Sequence, residues 1–216
     1  MSDAPTERPE PEPLTADAFA DLTGASAAVV ADLHRYRQLL EDGNAVMNLV
    51  GPASLPDFWR RHALDSAQLL AHAPDARTWV DLGSGAGLPG VVLAAFGKTR
   101  GGFHVDLVDS LKKRVRFLQA VTDALDLPAT VHDARAEAFS EPADVVTARA
   151  CAPMEKLLGF AWPCLRRGAT GLFLKGENVE RELTEARGSW TFEADLFPSL
   201  SDPRGRIVRI RSLARA

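Results

Sequence analysis

Thr78-Trp79-Val80-Asp81-Leu82 runs directly into a loop that holds four glycines in eight residues, Gly83 to Gly90. A short, nearly continuous apolar run suits a strand buried on both faces of a parallel sheet. Glycines let the following backbone turn tightly and approach a ligand, and the helix behind them offers unpaired N–H groups. Strand, glycine loop and helix in this order point to an α/β fold with its ligand at the carboxyl ends of the strands.

The rest of the chain agrees. After Pro74, strands are expected at 78–82, 103–108, 129–132, 143–148, 169–174, 190–197 and 206–211. Helices are expected at 88–96, 111–125, 153–165 and 177–187, with a short element at 134–139. This alternation predicts a doubly wound, mostly parallel sheet. Only Pro198–Gly205 joins the last two strands, too little for a crossover, so they should form an antiparallel hairpin. From Leu14 to His72 the spacing is helical, with segments near 16–22 and 26–41. In the second, Val29, Val30, Leu33, Tyr36, Leu39 and Leu40 recur at helical spacing. Gly43-Asn44 should break it, and Ser54 should cap a third helix through Phe58, Leu64 and Leu70. We therefore expect a disordered acidic, proline-rich tail over 1–13, a helical cap over 14–73 and an α/β domain over 74–216.

Two cofactor classes compete for the loop. Gly85-Ala86-Gly87-Leu88-Pro89-Gly90 matches G-x-G-x-x-G, with Asp109 about 20 residues after it, as a dinucleotide site requires. Asp81 favours the other class: a carboxylate at the strand end repels a pyrophosphate but attracts the ammonium and sulfonium of S-adenosylmethionine. The loop thus leans to S-adenosylmethionine and, with Gly85 at its turn, to a methyltransferase. Asp109 ends the second strand, where an acid suits two ribose hydroxyls. It also stands where a helix cap would, beside Ser110.

Charge locates a possible partner. The chain carries −4, of which −3 falls in residues 1–13, so the body is almost neutral and can still present a basic face. Lys112, Lys113, Arg114 and Arg116 occupy the opening turns of a helix, against the macrodipole, which suggests an anionic partner. Arg61-His62 and Lys175 add basic groups at or near the same sheet edge. His62 and Asp65 lie three apart on one helix face, fit for RNA positioning or for a structural hydrogen bond tying cap to core. No Asn-Pro-Pro-aromatic motif follows Asp144–Thr147, and Cys164 sits within an apolar helix, where a cysteine is ordinarily a small hydrophobe. No histidine or cysteine cluster has metal-ligand spacing, and no apolar run is long enough to span a bilayer. With two cysteines and no signal-peptide pattern, a reducing cytoplasm is expected.

A succession of motifs then resembles the bacterial family of small-subunit ribosomal RNA guanine-N7 methyltransferases, RsmG or GidB. It comprises Asn48-Leu49, Arg61-His62-Ala63-Leu64-Asp65-Ser66, Gly83–Gly90, Leu107 to Leu118, Arg149-Ala150 and Leu174-Lys175-Gly176, in order. The resemblance implies a class I, Rossmann-like, seven-stranded methyltransferase fold, with S-adenosylmethionine as cofactor and N7 of guanine 527 of 16S ribosomal RNA as target. It also implies that Gly83, Leu88, Ala136, Glu137 and Arg149 line the cofactor pocket. Arg61, His62, Lys112, Arg114, Arg116 and Lys175 are the candidate RNA contacts. A nicotinamide-dependent oxidoreductase and a non-catalytic RNA-binding protein on the same fold remain alternatives.

Overall fold

The computed structural model describes residues 13–216, so all but the last residue of the expected acidic tail lies outside the described residues. Seven strands form one sheet: β1 (Thr78–Leu82), β2 (His104–Asp109), β3 (Ala129–Asp133), β4 (Val145–Arg149), β5 (Thr170–Lys175), β6 (Trp190–Pro198) and β7 (Arg206–Arg215). Their order is β3-β2-β1-β4-β5-β7-β6. The first five are parallel, and β7 runs antiparallel between β5 and β6, as the short Pro198–Gly205 connection required. β7 continues past the expected end at residue 211. Its last residues are polar or exposed and pair with the start of β6 beyond a register shift at Glu193/Ala194, an edge that hydrophobic alternation does not flag.

Helices cover both faces. On one face lie α4 (Gly90–Gly97) and α5 (Lys112–Leu125); on the other lie α6 (Met154–Leu165) and α7 (Val179–Ala186). Pro163 and the buried Cys164 sit inside α6, so the cysteine is a packing residue, its thiol pushed up to about 11 by burial. The N-terminal helices α1 (Ala16–Thr23) and α2 (Ala27–Asn44) pack on the α4/α5 side and share its hydrophobic core. Both start from hydroxyl caps: Thr15 Oγ1 accepts from the Ala18 amide, and Ser26 Oγ from that of Val29. Val29, Leu33, Tyr36 and Leu40 are the buried stripe of α2.

Helix α2 ends at Asn44, within the Gly43-Asn44 pair expected to break it, and α5 passes so close to Gly43 that a Cβ would stand 2.8 Å from Phe117 Cε2. One expectation in this region fails. Ser54 caps no helix: it ends the 3₁₀ turn Pro52–Ser54. Its Oγ donates to the Gly51 carbonyl and meets His62 Nε2, so it takes no amide ahead of it. Helical structure resumes only as a π turn, Trp59–Leu64, followed by the single turn α3 (Asp65–Ala67) and a 3₁₀ stretch, Gln68–His72.

Candidate cofactor and RNA-target site

The glycine loop leaves β1 at the carboxyl edge of the sheet. Gly83, Gly85 and Gly87 all have positive φ, which side-chain-bearing residues rarely adopt. At Gly83 a Cβ would also lie 2.7 Å from Cys151 Sγ, so the backbone there must stay bare. Asp81 does not face the loop openly. It is fully buried, and its Oδ2 accepts the Gly90 amide at 3.0 Å, at the start of α4. The carboxylate therefore occupies the helix-terminal N–H that a pyrophosphate would need, which counts against the dinucleotide alternative. Its Oδ1 is buried without a hydrogen-bond partner. Burial pushes the Asp81 carboxyl up to about 7, with the Gly90 amide and the Ser84 hydroxyl acting the other way. A buried, half-satisfied carboxyl behind a bare glycine loop fits a cationic ligand such as S-adenosylmethionine.

Beside Gly83 opens a cavity of about 380 Å³, built from the ends of β1, β2 and β3 and from α6. Gly83, Asp109, Ala136, Glu137 and Cys151 line it. Asp109 Oδ2 accepts the Gly85 amide at 2.9 Å and Oδ1 the Leu111 amide at 2.8 Å. Helix α5 has Leu111 as its N-cap and no side-chain cap, so Asp109 is not the helix cap that its position suggested; each of its oxygens keeps a second lone pair, open to a ribose contact. Gly85, Leu88 and Arg149, expected in the cofactor pocket, do not line this cavity. Gly85 serves it through its amide on Asp109, and Leu88 is packed in the core.

A larger cavity, about 610 Å³, lies on the other side of the β4 exit. Arg149 and Ala150 face it, while the next residue, Cys151, faces the first cavity. Ala150 has φ +51, the conformation that turns the chain between the two. Arg149 is held by the cap: its guanidinium donates to the Arg61 carbonyl at 2.9 Å, to Asp65 Oδ2 at 3.2 Å and to His62 Nδ1 at 3.0 Å. His62 must then carry its proton on Nε2, which meets Ser54 Oγ at 2.9 Å while Ser54 donates to the Gly51 carbonyl. Burial first, then Arg149 and Arg61, push His62 down to about 3, so it is neutral. The expected direct His62–Asp65 bond is absent among the described residues; Arg149 stands between them and makes the tie from cap to sheet.

The candidate RNA cations divide into two groups. Around the larger cavity Arg149 pairs with Asp65, Arg61 with Asp202 and Lys175 with Glu182. On α5, Arg114 lies 3.7 Å from Asp109, whereas Lys112, Lys113 and Arg116 have no ion pair among the described residues. Sequence reasoning missed several groups here. Ser199, Ser201 and Asp202 reach the larger cavity from the β6–β7 loop, with Ser201 Oγ donating to Asp65 Oδ1. Tyr36 was visible only as part of an apolar stripe, although a buried phenol always needs a partner for its hydroxyl. No cluster able to hold a metal is found among the described residues.

Comparison with known proteins matches this geometry to a family. Residues 29–205 match the GidB family, described as rRNA small subunit methyltransferase G. A protein of that description from Caulobacter vibrioides is 59% identical over 202 residues, covering 94% of each chain. One from Parvibaculum lavamentivorans is 44% identical, covering 94% of this chain and 92% of its own. Among solved structures, an O-methyltransferase from Bacillus cereus in complex with SAH superposes with a TM-score of 0.58 at 14% identity, over 91% of this chain and 96% of that one. That likeness shows the methyltransferase fold, and the sequence matches carry the assignment further. The chain belongs to the rRNA small subunit methyltransferase G family.

Proposed function

We propose that this chain methylates N7 of guanine 527 in 16S ribosomal RNA, with S-adenosylmethionine as donor. Family membership supports the reaction and its RNA. The observation in the molecule that carries it is the split at the β4 exit, which sets the smaller cavity back to back with the larger one across Ala150.

In this reading Gly83, Asp109, Ala136 and Glu137 hold the cofactor, which supplies an electrophilic methyl on a sulfonium. Asp81, ionised, balances its positive charge from behind the loop. The larger cavity receives the guanine. N7 has a lone pair and no proton, so no side chain need act as a base, and His62 has its Nδ1 occupied by Arg149. The chain's contribution is then proximity and orientation, which supply roughly 7–11 kcal/mol in well-aligned systems. Arg149 does this as a rigid wall, held at three points by the cap. The enzyme would meet its RNA in the cytoplasm; no described helix is long and apolar enough to cross a membrane.

The test is a map of 16S ribosomal RNA methylation in strains with and without the gene. The N7 mark should disappear on deletion and return with the wild type but not with a Gly83→Asp variant. A mark that persists without the gene overturns the assignment. Titration of the pure protein should show binding of S-adenosylmethionine and none of NAD.

A further inference from the structure

Beside the two cavities runs a third hollow that neither the cofactor nor the target base needs. It is a groove of about 470 Å³ between the Val46–Leu49 loop and the first turn of α5. Its edges are unusual for a soluble surface: Val46 is 79% exposed and Leu111 53%. The display of Val46 is built in, because Asn44 Oδ1 accepts the amides of both Leu49 and Val50, at 2.9 and 3.0 Å, and pins the loop. Lys112, Lys113 and Arg114 complete the groove.

Position and charge say what lies there. Leu49 also lines the larger cavity, and Leu111 and Arg114 also line the smaller one, so the groove joins both. Lys112 and Lys113 are exposed, stand at the positive end of a 14-residue helix, and have no carboxylate partner among the described residues. Arg61, Arg149 and Lys175 around the larger cavity are, by contrast, already paired. Two unpaired ammonium groups against the macrodipole favour an anion from outside. Apolar edges beside them suit a flat base more than a folded helix of duplex RNA, whose bases are stacked out of reach.

We propose that this groove is a docking site for an unpaired nucleotide flanking the target guanine, its base against Val46 and Leu111 and its phosphates on Lys112 and Lys113. The inference rests on the RNA-methylating reading above and adds a subsite to it. It gives the enzyme a grip on the strand that is separate from both cavities, so an RNA lacking single-stranded neighbours around the target would be a poor substrate.

The experiment uses the full-length protein and small ribosomal subunits purified from a strain lacking the enzyme. The double variant Lys112→Ala/Lys113→Ala should raise KM for subunits about tenfold at physiological salt and flatten the log–log salt dependence of binding by about 1.4, at about 0.7 per lost single-strand phosphate contact. Its affinity for S-adenosylmethionine, by calorimetry, should stay within twofold of wild type, since neither lysine lines that cavity. Val46→Ser should raise KM about threefold with kcat unchanged. A benzophenone amino acid placed at Val46 should cross-link to 16S ribosomal RNA. Adducts instead to a second copy of the chain, or to its own residues 1–12, overturn the proposal, as do variants with unchanged KM and salt slope beside an active wild type. A wild type that methylates no subunits at all brings down the reaction itself, and this subsite with it.

Discussion

The hydroxyl of Tyr36, on cap helix α2, donates at 2.7 Å to the carbonyl oxygen of Ala86, in the middle of the glycine loop. Fifty residues apart in sequence and both buried, they fasten the cap to the cofactor side of the sheet. Burial raises the Tyr36 hydroxyl far above its ordinary range, so it stays a donor at every working pH. Tyr36→Phe leaves the Ala86 carbonyl buried and unsatisfied, at a cost of about 1–3 kcal/mol. Urea unfolding should show that loss. Affinity for S-adenosylmethionine should fall several-fold while kcat changes little, and an unaltered affinity would show that the loop holds its shape without the cap.

Asp81 makes cofactor binding pH-dependent. Its carboxyl titrates near 3.8 when solvated and near 7 in the folded protein. A cation in the loop favours the ionised form, so binding at pH 6 should release protons and tighten as pH rises toward 8. Calorimetry in two buffers of different ionisation enthalpy measures that release. Binding that is indifferent to both buffer and pH would remove Asp81 from the cofactor's surroundings.

Stability carries opposite signatures from Asp81 and His62. Between pH 3.8 and 7 the folded chain keeps the Asp81 proton that the unfolded chain has lost, so this residue makes stability fall as pH rises. His62 titrates near 6.5 unfolded and near 3 folded. Acidification below pH 6.5 therefore protonates only the unfolded chain, and stability falls as pH drops. The two oppose each other across most of this window. Asp81→Asn should expose the acid-side loss due to His62, and His62→Gln should expose the alkaline-side loss due to Asp81, each on the order of a few kcal/mol. Urea unfolding at half-unit pH intervals separates them.

Gly83 is constrained twice, by φ +66 and by Cys151. Gly83→Ala should weaken S-adenosylmethionine binding by tenfold or more and lower stability by about 1–3 kcal/mol through backbone strain. Adding Cys151→Ala removes the sulfur, the atom that a Cβ would strike, and should restore part of the loss but not all of it. Cofactor titration of the single and double variants reads this directly. Full restoration would mean that the left-handed backbone costs nothing there.

How far such features could be read in advance depended on their range. Strands β1, β4 and β5 were legible because parallel strands buried on both faces are short apolar runs between turns, and β2 by its alternation. The placement of Gly83, Asp109, Ala136 and Glu137 round one cavity follows from that topology and from the motif succession. The cap was harder. That Phe117 passes close enough to Gly43 to exclude a side chain is nothing local propensity contains. The helix cap expected at Ser54 failed because that hydroxyl is drawn to the Gly51 carbonyl and to His62, eight residues on. The pairing of Arg149 with both His62 and Asp65 spans more than eighty residues and needed the fold itself. Ser199 and Ser201 gave no signal beyond belonging to a turn.

The reversal of β7 has a consequence for how such an enzyme can change its preference. Because β7 runs backwards, its first residue, Arg206, and the last of β6, Pro198, arrive at the same rim as the ends of the parallel strands. The loop between them walls the larger cavity and contributes nothing to the smaller. Insertions or substitutions between Ser199 and Gly205 would therefore reshape what the enzyme accepts while leaving the donor's seat intact. The loop is thus free to vary in length and chemistry at one cavity without touching the lining of the other.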